Sequence, residues 1–340
     1  MVKSQIKYLT IEEGENLLSE FSSLYFHQYQ DPLRSVFVHQ PCFTCSLNGE
    51  LVAFAILEMH RFRKASIWLG PIIKVGANTN LIWEALFQEV RKFKIGHLTL
   101  QTENIFIYND VCKYLSKAKG PKLIRIQAGM STAIKKLTGS EEDIFQSYSK
   151  HHQKEVQISK KKELKIRIVD TQKDFAPLVD LFLLMFKQKN IHHYPNELND
   201  RLWGEFNYIL HSKNGKVLIA EKDGKLVGGS IELFVKGASF YVFGATDKNV
   251  KLPISYGLLH YSFITLVDQG IECFDFGGYQ QVENDEQFAK VSQFKGGFGV
   301  ETKKYPERLI LNTGGLIGNL IEMLISLRNF LLKQLGKHVS

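Results

Sequence analysis

Residues 274–301 read FDFGGYQQVENDEQFAKVSQFKGGFGVE. Two aromatic-glycine clusters, FDFGGY and FKGGFG, flank a polar spacer, and the second carries Lys295. Glycine lets a backbone turn tightly or approach a ligand closely, while Phe and Tyr supply flat walls. The pattern fits either a binding cleft or two tight turns over a core. In a partly dry cleft, a lysine between Phe294 and Gly296 would stabilise a developing oxyanion, because its charge acts more strongly there than in water. On residue chemistry alone, a surface lysine on a hairpin is the simpler reading. Asp275 alternates with Phe274 and Phe276, so on a strand it faces away from two core aromatics. There it would accept an amine proton or pin Lys295, or stand exposed. Tyr241, Tyr279, Phe294 and Phe298 would wall a sugar or peptide, with core packing the alternative for the phenylalanines.

Other chemistries find less support. FKGGFG places its lysine before the glycines, the reverse of a P-loop. Cys42 and Cys45 form a CxxC without the second pair that a zinc site needs. The run after Pro41 is strand-like, so both read as strand cysteines rather than a redox pair. His192 and His193 have no carboxylate or cysteine partners at ligand spacing, and no metal is expected. His60, Arg61, Arg63 and Lys64 read as a solvated hairpin tip, and His260 as a bonded core or rim residue.

These residues need a scaffold, and the chain supplies one twice. Residues 49–56, GELVAFAI, and 224–231, GKLVGGSI, share the pattern Gly-x-Leu-Val-x-x-x-Ile. Each is followed by an aromatic strand ending in glycine, SIWLGP at 66–71 and SFYVFGA at 239–245. Helices come next: Ile82, Trp83, Leu86, Phe87, Val90 and Phe93 share one face, as do Tyr256, Leu259, Phe263, Ile264 and Val267. The strands HLTLQT and ECFDFG then close each unit. A β-β-α-β order repeated at matched spacing predicts two similar mixed α/β domains. The length of 340 residues accommodates both.

The boundary reading is 1–135 for the first domain, 136–165 for a basic linking helix, 166–312 for the second domain and 313–340 for an amphipathic helix. The linking run KHHQKEVQISKKKELKIRI is either a solvated face or an anion-facing helix. A net charge of +8 leans toward an anionic partner. The final helix either docks on the body or lies in a membrane interface through Arg328, Lys333 and Lys337. No basic start leads into an apolar run and no long apolar stretch occurs, so a cytoplasmic location is expected.

The second domain resembles the Fem-type peptidoglycan aminoacyltransferases, a FemAB-like branch of the GNAT acyltransferase superfold. The pair FDFGG and FKGGFG at this separation carries the resemblance most specifically, and it covers most of residues 140–312. It implies tandem duplicated GNAT-like domains, each a mixed twisted sheet flanked by helices. It also implies a catalytic role for Lys295, and places the family's aromatic-glycine strand end at Tyr241, Phe243 and Gly244. The expected function is transfer of an amino acid from aminoacyl-tRNA to an amine of a peptidoglycan or other cell-envelope precursor, which is lipid-linked in one form of this reading. The tail would then touch the inner membrane face. No cofactor is expected to be tightly bound, and no DNA partner.

One departure concerns the basic helix, where Gln153 and Gln157 stand at places the family often fills with arginine. Lys154, Lys160, Lys161 and Lys162 remain as point charges for a substrate phosphate. The loop GATDKNVKLPISYG has no clustered Gly-x-Gly, and Pro253 removes a donor from the first helical turn. Acyl-CoA is therefore disfavoured as donor, while Lys248 and Lys251 are available for a donor phosphate. Two alternatives stand beside the first function: an acyl-CoA-dependent N-acyltransferase of sugar-nucleotide or exopolysaccharide synthesis, and a non-catalytic glycan- or nucleic-acid-binding module.

Overall fold

The computed structural model describes residues 1–24, 27–61, 63–117, 121–188, 195–279, 286–314 and 323. Along the chain the elements are β1 (Val2–Lys7), α1 (Ile11–Glu20), α2 (Pro32–Phe37), β2 (Cys42–Leu47), β3 (Glu50–Ile56), β4 (Glu58–His60), β5 (Lys64–Trp68) and β6 (Ile72–Ile73). They continue with α3 (Thr79–Lys92), β7 (His97–Gln101), α4 (Ile105–Lys117), β8 (Lys122–Gln127), β9 (Ser131–Lys136), α5 (Glu141–Gln146) and α6 (Lys150–Lys161). Next come β10 (Lys165–Val169), α7 (Gln172–Gln188), α8 (Pro195–Ser212), β11 (Gly215–Lys222), β12 (Lys225–Val235) and β13 (Ala238–Thr246). The last are α9 (Ile254–Asp268), β14 (Cys273–Gly278), α10 (Glu286–Gly296), β15 (Glu301–Lys304) and β16 (Arg308–Asn312). Both halves of the predicted β-β-α-β repeat are present, in β3-β5-α3-β7 and β12-β13-α9-β14.

Met1–Met130 and the described residues from Tyr305 onward form one unit, and Ser131–Lys304 the other. The first unit holds a sheet of order β1-β2-β3-β6 and another of order β4-β5-β7-β16-β8. The apolar faces of these strands meet Trp83, Leu86 and Val90 of α3 in one core. The buried Gln30 side chain links the two sheets, donating to the Trp68 carbonyl at 2.8 Å and accepting from the Ile56 N–H at 2.8 Å. Strands β5 and β7 run parallel in continuous register from Lys64↔His97 to Trp68↔Gln101.

The second unit is one seven-stranded sheet of order β10-β11-β12-β13-β14-β9-β15. Its parallel pair, β13 and β14, registers only at Ala238↔Cys273, Ser239↔Phe274 and Phe240↔Asp275. Beyond Phe240, β13 stays paired with β12 as far as Thr246 but leaves β14. A bulge lies at this parting: Tyr241 opposes Glu232 and Phe243 opposes Ile231, so Val242 is the extra residue. A bulge bends its strand and raises the local twist, which suits two strands that separate.

Two boundary expectations are corrected. The segment 136–165 is not a free linker: β9 begins at Ser131 inside the second sheet, and α5 and α6 belong to the second unit. Its buried stripe is His152, Val156 and Ser159, at i, i+4 and i+7 of α6, a spacing hidden by counting only aliphatic residues. The second unit also ends at Lys304 rather than 312, because β16 pairs with β7 and β8 of the first unit. The helix read at 313–340 lies outside the described residues beyond Gly314, Met323 excepted. Cys42 and Cys45 are buried, unbridged residues of β2. Among the described residues, no helix is long and apolar enough to cross a membrane.

Candidate functional site

FKGGFG is not the tip of a hairpin, as the sequence suggested. Lys295 stands in the last turn of α10, and the glycines carry the chain from that helix into β15. Helix C-termini favour cations because their last carbonyls are unpaired, but here the cation turns to a strand. Lys295 Nζ donates to the carbonyls of Phe276 at 2.9 Å, Gly277 at 3.2 Å and Gly278 at 2.6 Å. The three donors of an ammonium are thus met by three successive carbonyls at the end of β14. Burial lowers the Lys295 pKa to about 8, against the opposing pull of the Asp275 charge. The group is a cation at neutral pH that can lose its proton just above it.

Asp275 faces away from Phe274 and Phe276, as alternation predicts, but it is buried rather than exposed. Its carboxylate accepts from the Thr132 hydroxyl of β9 and from the Gly277 N–H at 2.7 Å. The second contact closes a tight turn in which Gly277 has φ +69°, a conformation that glycine adopts without strain. Asp275 therefore fixes the strand end whose carbonyls hold Lys295, and its charge favours the protonated amine.

On the other side of α10, His152 of α6 holds the helix. Its Nε2–H donates to the Phe294 carbonyl at 2.8 Å, and Nδ1 accepts from the Ser149 hydroxyl at 2.9 Å. Burial keeps this imidazole below its ordinary pKa and hence neutral, consistent with one donor and one acceptor nitrogen. Its ring lies 4.6 Å from Phe298 and 4.9 Å from Tyr256, edge to face in both cases.

The remaining expected residues divide. Phe298 is fully buried among Tyr148, His152, Phe263 and Phe276, so it supports the site and cannot wall a substrate. Phe294 is half-buried against Tyr256 at 5.1 Å. The half-buried Tyr279 turns its hydroxyl toward Gly296, next to Lys295. Tyr241 packs at 6.1 Å from Phe274, whereas Phe243, past the bulge, meets Phe182 of α7 and the Arg201 guanidinium. Lys154 is exposed on α6, while Lys160 pairs with Glu141 of α5 at 2.8 Å. Six residues apart on a helix, the two lysines point to different faces. Thr132 and His152 escaped the sequence reading. The serine three residues before His152, an N-cap pattern, was the one visible signal for the latter.

Lys248 and Lys251 are exposed on the loop between β13 and α9. In that loop the Asp247 carboxylate takes the Asn249 N–H at 2.9 Å, and the Asp247 carbonyl takes the Val250 N–H at 3.2 Å. Helix α9 begins at Ile254, and its N-cap, Pro253, offers no side-chain cap. No cluster of metal-ligating side chains occurs among the described residues.

Residues 149–290 match the acetyltransferase (GNAT) domain family. The fold is similar to that of FemX, with a TM-score of 0.64 and 12% identity over 90% of this chain and 96% of that one. It is similar to the C-terminal domain of a protein assigned as a lysylphosphatidylglycerol synthetase from Agrobacterium fabrum, with a TM-score of 0.56 and 14% identity over 91% and 96% of the two chains. A tandem GNAT protein of the clavulanic acid biosynthesis pathway gives a TM-score of 0.54 and 11% identity over 93% and 99%. No curated protein matches the sequence.

Proposed function

We propose, for a chain that is a GNAT-fold acyltransferase of FemAB-like tandem architecture, that it transfers an aminoacyl group from aminoacyl-tRNA to an amine of a cell-envelope precursor. One observation carries this reading. The parallel pair of the second unit parts after three registered residues, with the Lys295 cation at the far strand's end, whereas its counterpart in the first unit stays in register over five. Among the described residues, the parting leaves the β13 edge from Tyr241 to Thr246 without strand partners on the β14 side, and unpaired backbone groups there need hydrogen bonds from a ligand or water.

An acceptor amine attacks the ester carbonyl of the donor. A carbon–nitrogen bond forms, the bond to the ribose oxygen breaks, and that oxygen takes up the proton the amine releases. Lys295 stabilises the oxyanion through its field, and by exchanging one carbonyl contact for the oxyanion when that charge develops. Asp275 is a positioning residue that holds the strand end and keeps the lysine protonated. Tyr279 and Phe294 flank the reacting groups, with Tyr241 and Phe243 on the opposing strand and Lys154 on the approach. Lys248 and Lys251 meet donor phosphates as point charges.

The loop before α9 spends two of its N–H groups on Asp247 and adds a carboxylate there, which is poor chemistry for the pyrophosphate of CoA. An RNA donor needs only cations at the loop surface. The acceptor belongs to the cell envelope, and the enzyme works at the cytoplasmic face, where a lipid-linked precursor brings it to the membrane. The test is label transfer by the purified full chain, supplied with charged tRNA or acyl-CoA and a fraction of envelope precursors. Incorporation from charged tRNA is expected; incorporation from acyl-CoA alone overturns the donor assignment.

A further inference from the structure

A half-open cavity of about 380 Å³ lies in the second unit, lined by α5, α6, β10 and α9. It involves neither Lys295 nor the parting strands. Val156, Leu164, Ile166 and Ile264 give it apolar walls, and Ser159, His260, Glu141 and Lys160 supply its polar groups.

Two features argue for a ligand rather than a packing defect. Ser159 is 3% exposed overall, and its hydroxyl has no hydrogen-bond partner among the described residues, so it is open to a ligand or water in the cavity. Gly257 of α9 lets this hydroxyl sit close against the helix, because a Cβ there would overlap it. Second, the mouth is electrostatically built. Glu141 Oε1 accepts from Lys160 at 2.8 Å and from His260 Nε2 at 3.2 Å, while His260 Nδ1 is fixed by the Tyr148 hydroxyl at 3.2 Å. Both contacts fall on Oε1, leaving Oε2 without a partner among the described residues, and Lys160 has two ammonium protons to spare.

We infer that this cavity binds a small zwitterion with an apolar side chain, a free α-amino acid of leucine or phenylalanine size. Its ammonium meets Glu141, its carboxylate meets Lys160, Ser159 bonds the head group, and the side chain enters the apolar walls. A neighbouring carboxylate and ammonium complement a zwitterion, whereas a purely anionic or cationic ligand leaves one of them repelled. The volume stands near the low end for small-molecule sites, about 300–1,000 Å³, which selects a compact metabolite. The site is independent of the transfer reaction proposed above.

Calorimetric titration of the full chain with L-leucine and L-phenylalanine tests it. Saturable binding with a dissociation constant of about 1 mM or tighter is expected, weakened about tenfold or more for leucinamide and for N-acetyl-leucine, each lacking one charge. Glu141→Gln and Lys160→Met are each expected to weaken leucine binding about tenfold. Both side chains are more than half exposed, so the fold survives either change. Absence of saturable binding for both amino acids, or equal binding by wild type and both variants, overturns the inference.

Discussion

His152 and Gly297 compete for one space: the imidazole stands where a Cβ at position 297 would have to be. The same ring holds the Phe294 carbonyl, so this close approach fixes the turn that delivers Lys295. Gly297→Ala is expected to destabilise the fold by about 1–3 kcal/mol through overpacking, read as a lower urea midpoint. Adding His152→Ala removes the clash, so the double variant should lose less than the sum of the two single losses.

His152 and His260 are both held below their ordinary pKa, chiefly by burial. The unfolded chain therefore binds protons at these sites more readily than the folded one, and their contribution is complete above the ordinary histidine value of about 6.5. Stability should fall as pH drops below that value. A denaturation series from pH 7.5 to 5 checks this, and His152→Gln should flatten part of the slope.

Lys295→Met removes the cation and leaves three carbonyls without their shared donor. Transfer should fall about 100–1,000-fold, the range for losing one oxyanion-stabilising group, with the melting temperature followed in parallel. Transfer unchanged in a folded variant would remove Lys295 from the chemistry.

The Lys295 ammonium is lost as pH rises through about 8. Activity should show an alkaline limb there that is absent from the residual activity of the Met variant. Asp275→Asn deletes the charge that opposes deprotonation, so the limb should move to lower pH.

Lys248 and Lys251 are exposed at the surface, where they can act as point charges. Replacing both with Ala should raise the apparent KM for charged tRNA and reduce its dependence on salt, with smaller effects on kcat. Steady-state rates at two ionic strengths read this directly.

Much of the architecture was legible in the chain. The repeated Gly-x-Leu-Val pattern marked β3 and β12, and helical spacing marked the buried face of α3 and one face of α9, whose Ile254 and Leu258 are buried in a second cluster, because periodicity records which side of an element meets the core. The FDFGG and FKGGFG clusters pointed to the segment that holds Lys295. Alternation set Asp275 apart from Phe274 and Phe276, but not its burial, which depends on Thr132, 143 residues away in the chain.

What the sequence left open was decided by strand partners distant along the chain. β9 follows β8 yet enters the second sheet between β14 and β15, and β16 follows β15 yet enters the first unit between β7 and β8. Side-chain pattern reports the face a strand buries, not the neighbour that takes its backbone hydrogen bonds. For the same reason the chain determined that Lys295 sits beside glycines and aromatics. Only the folded sheet, by ending β14 in three converging carbonyls and parting it from β13, turned that lysine into a half-buried, carbonyl-bound cation.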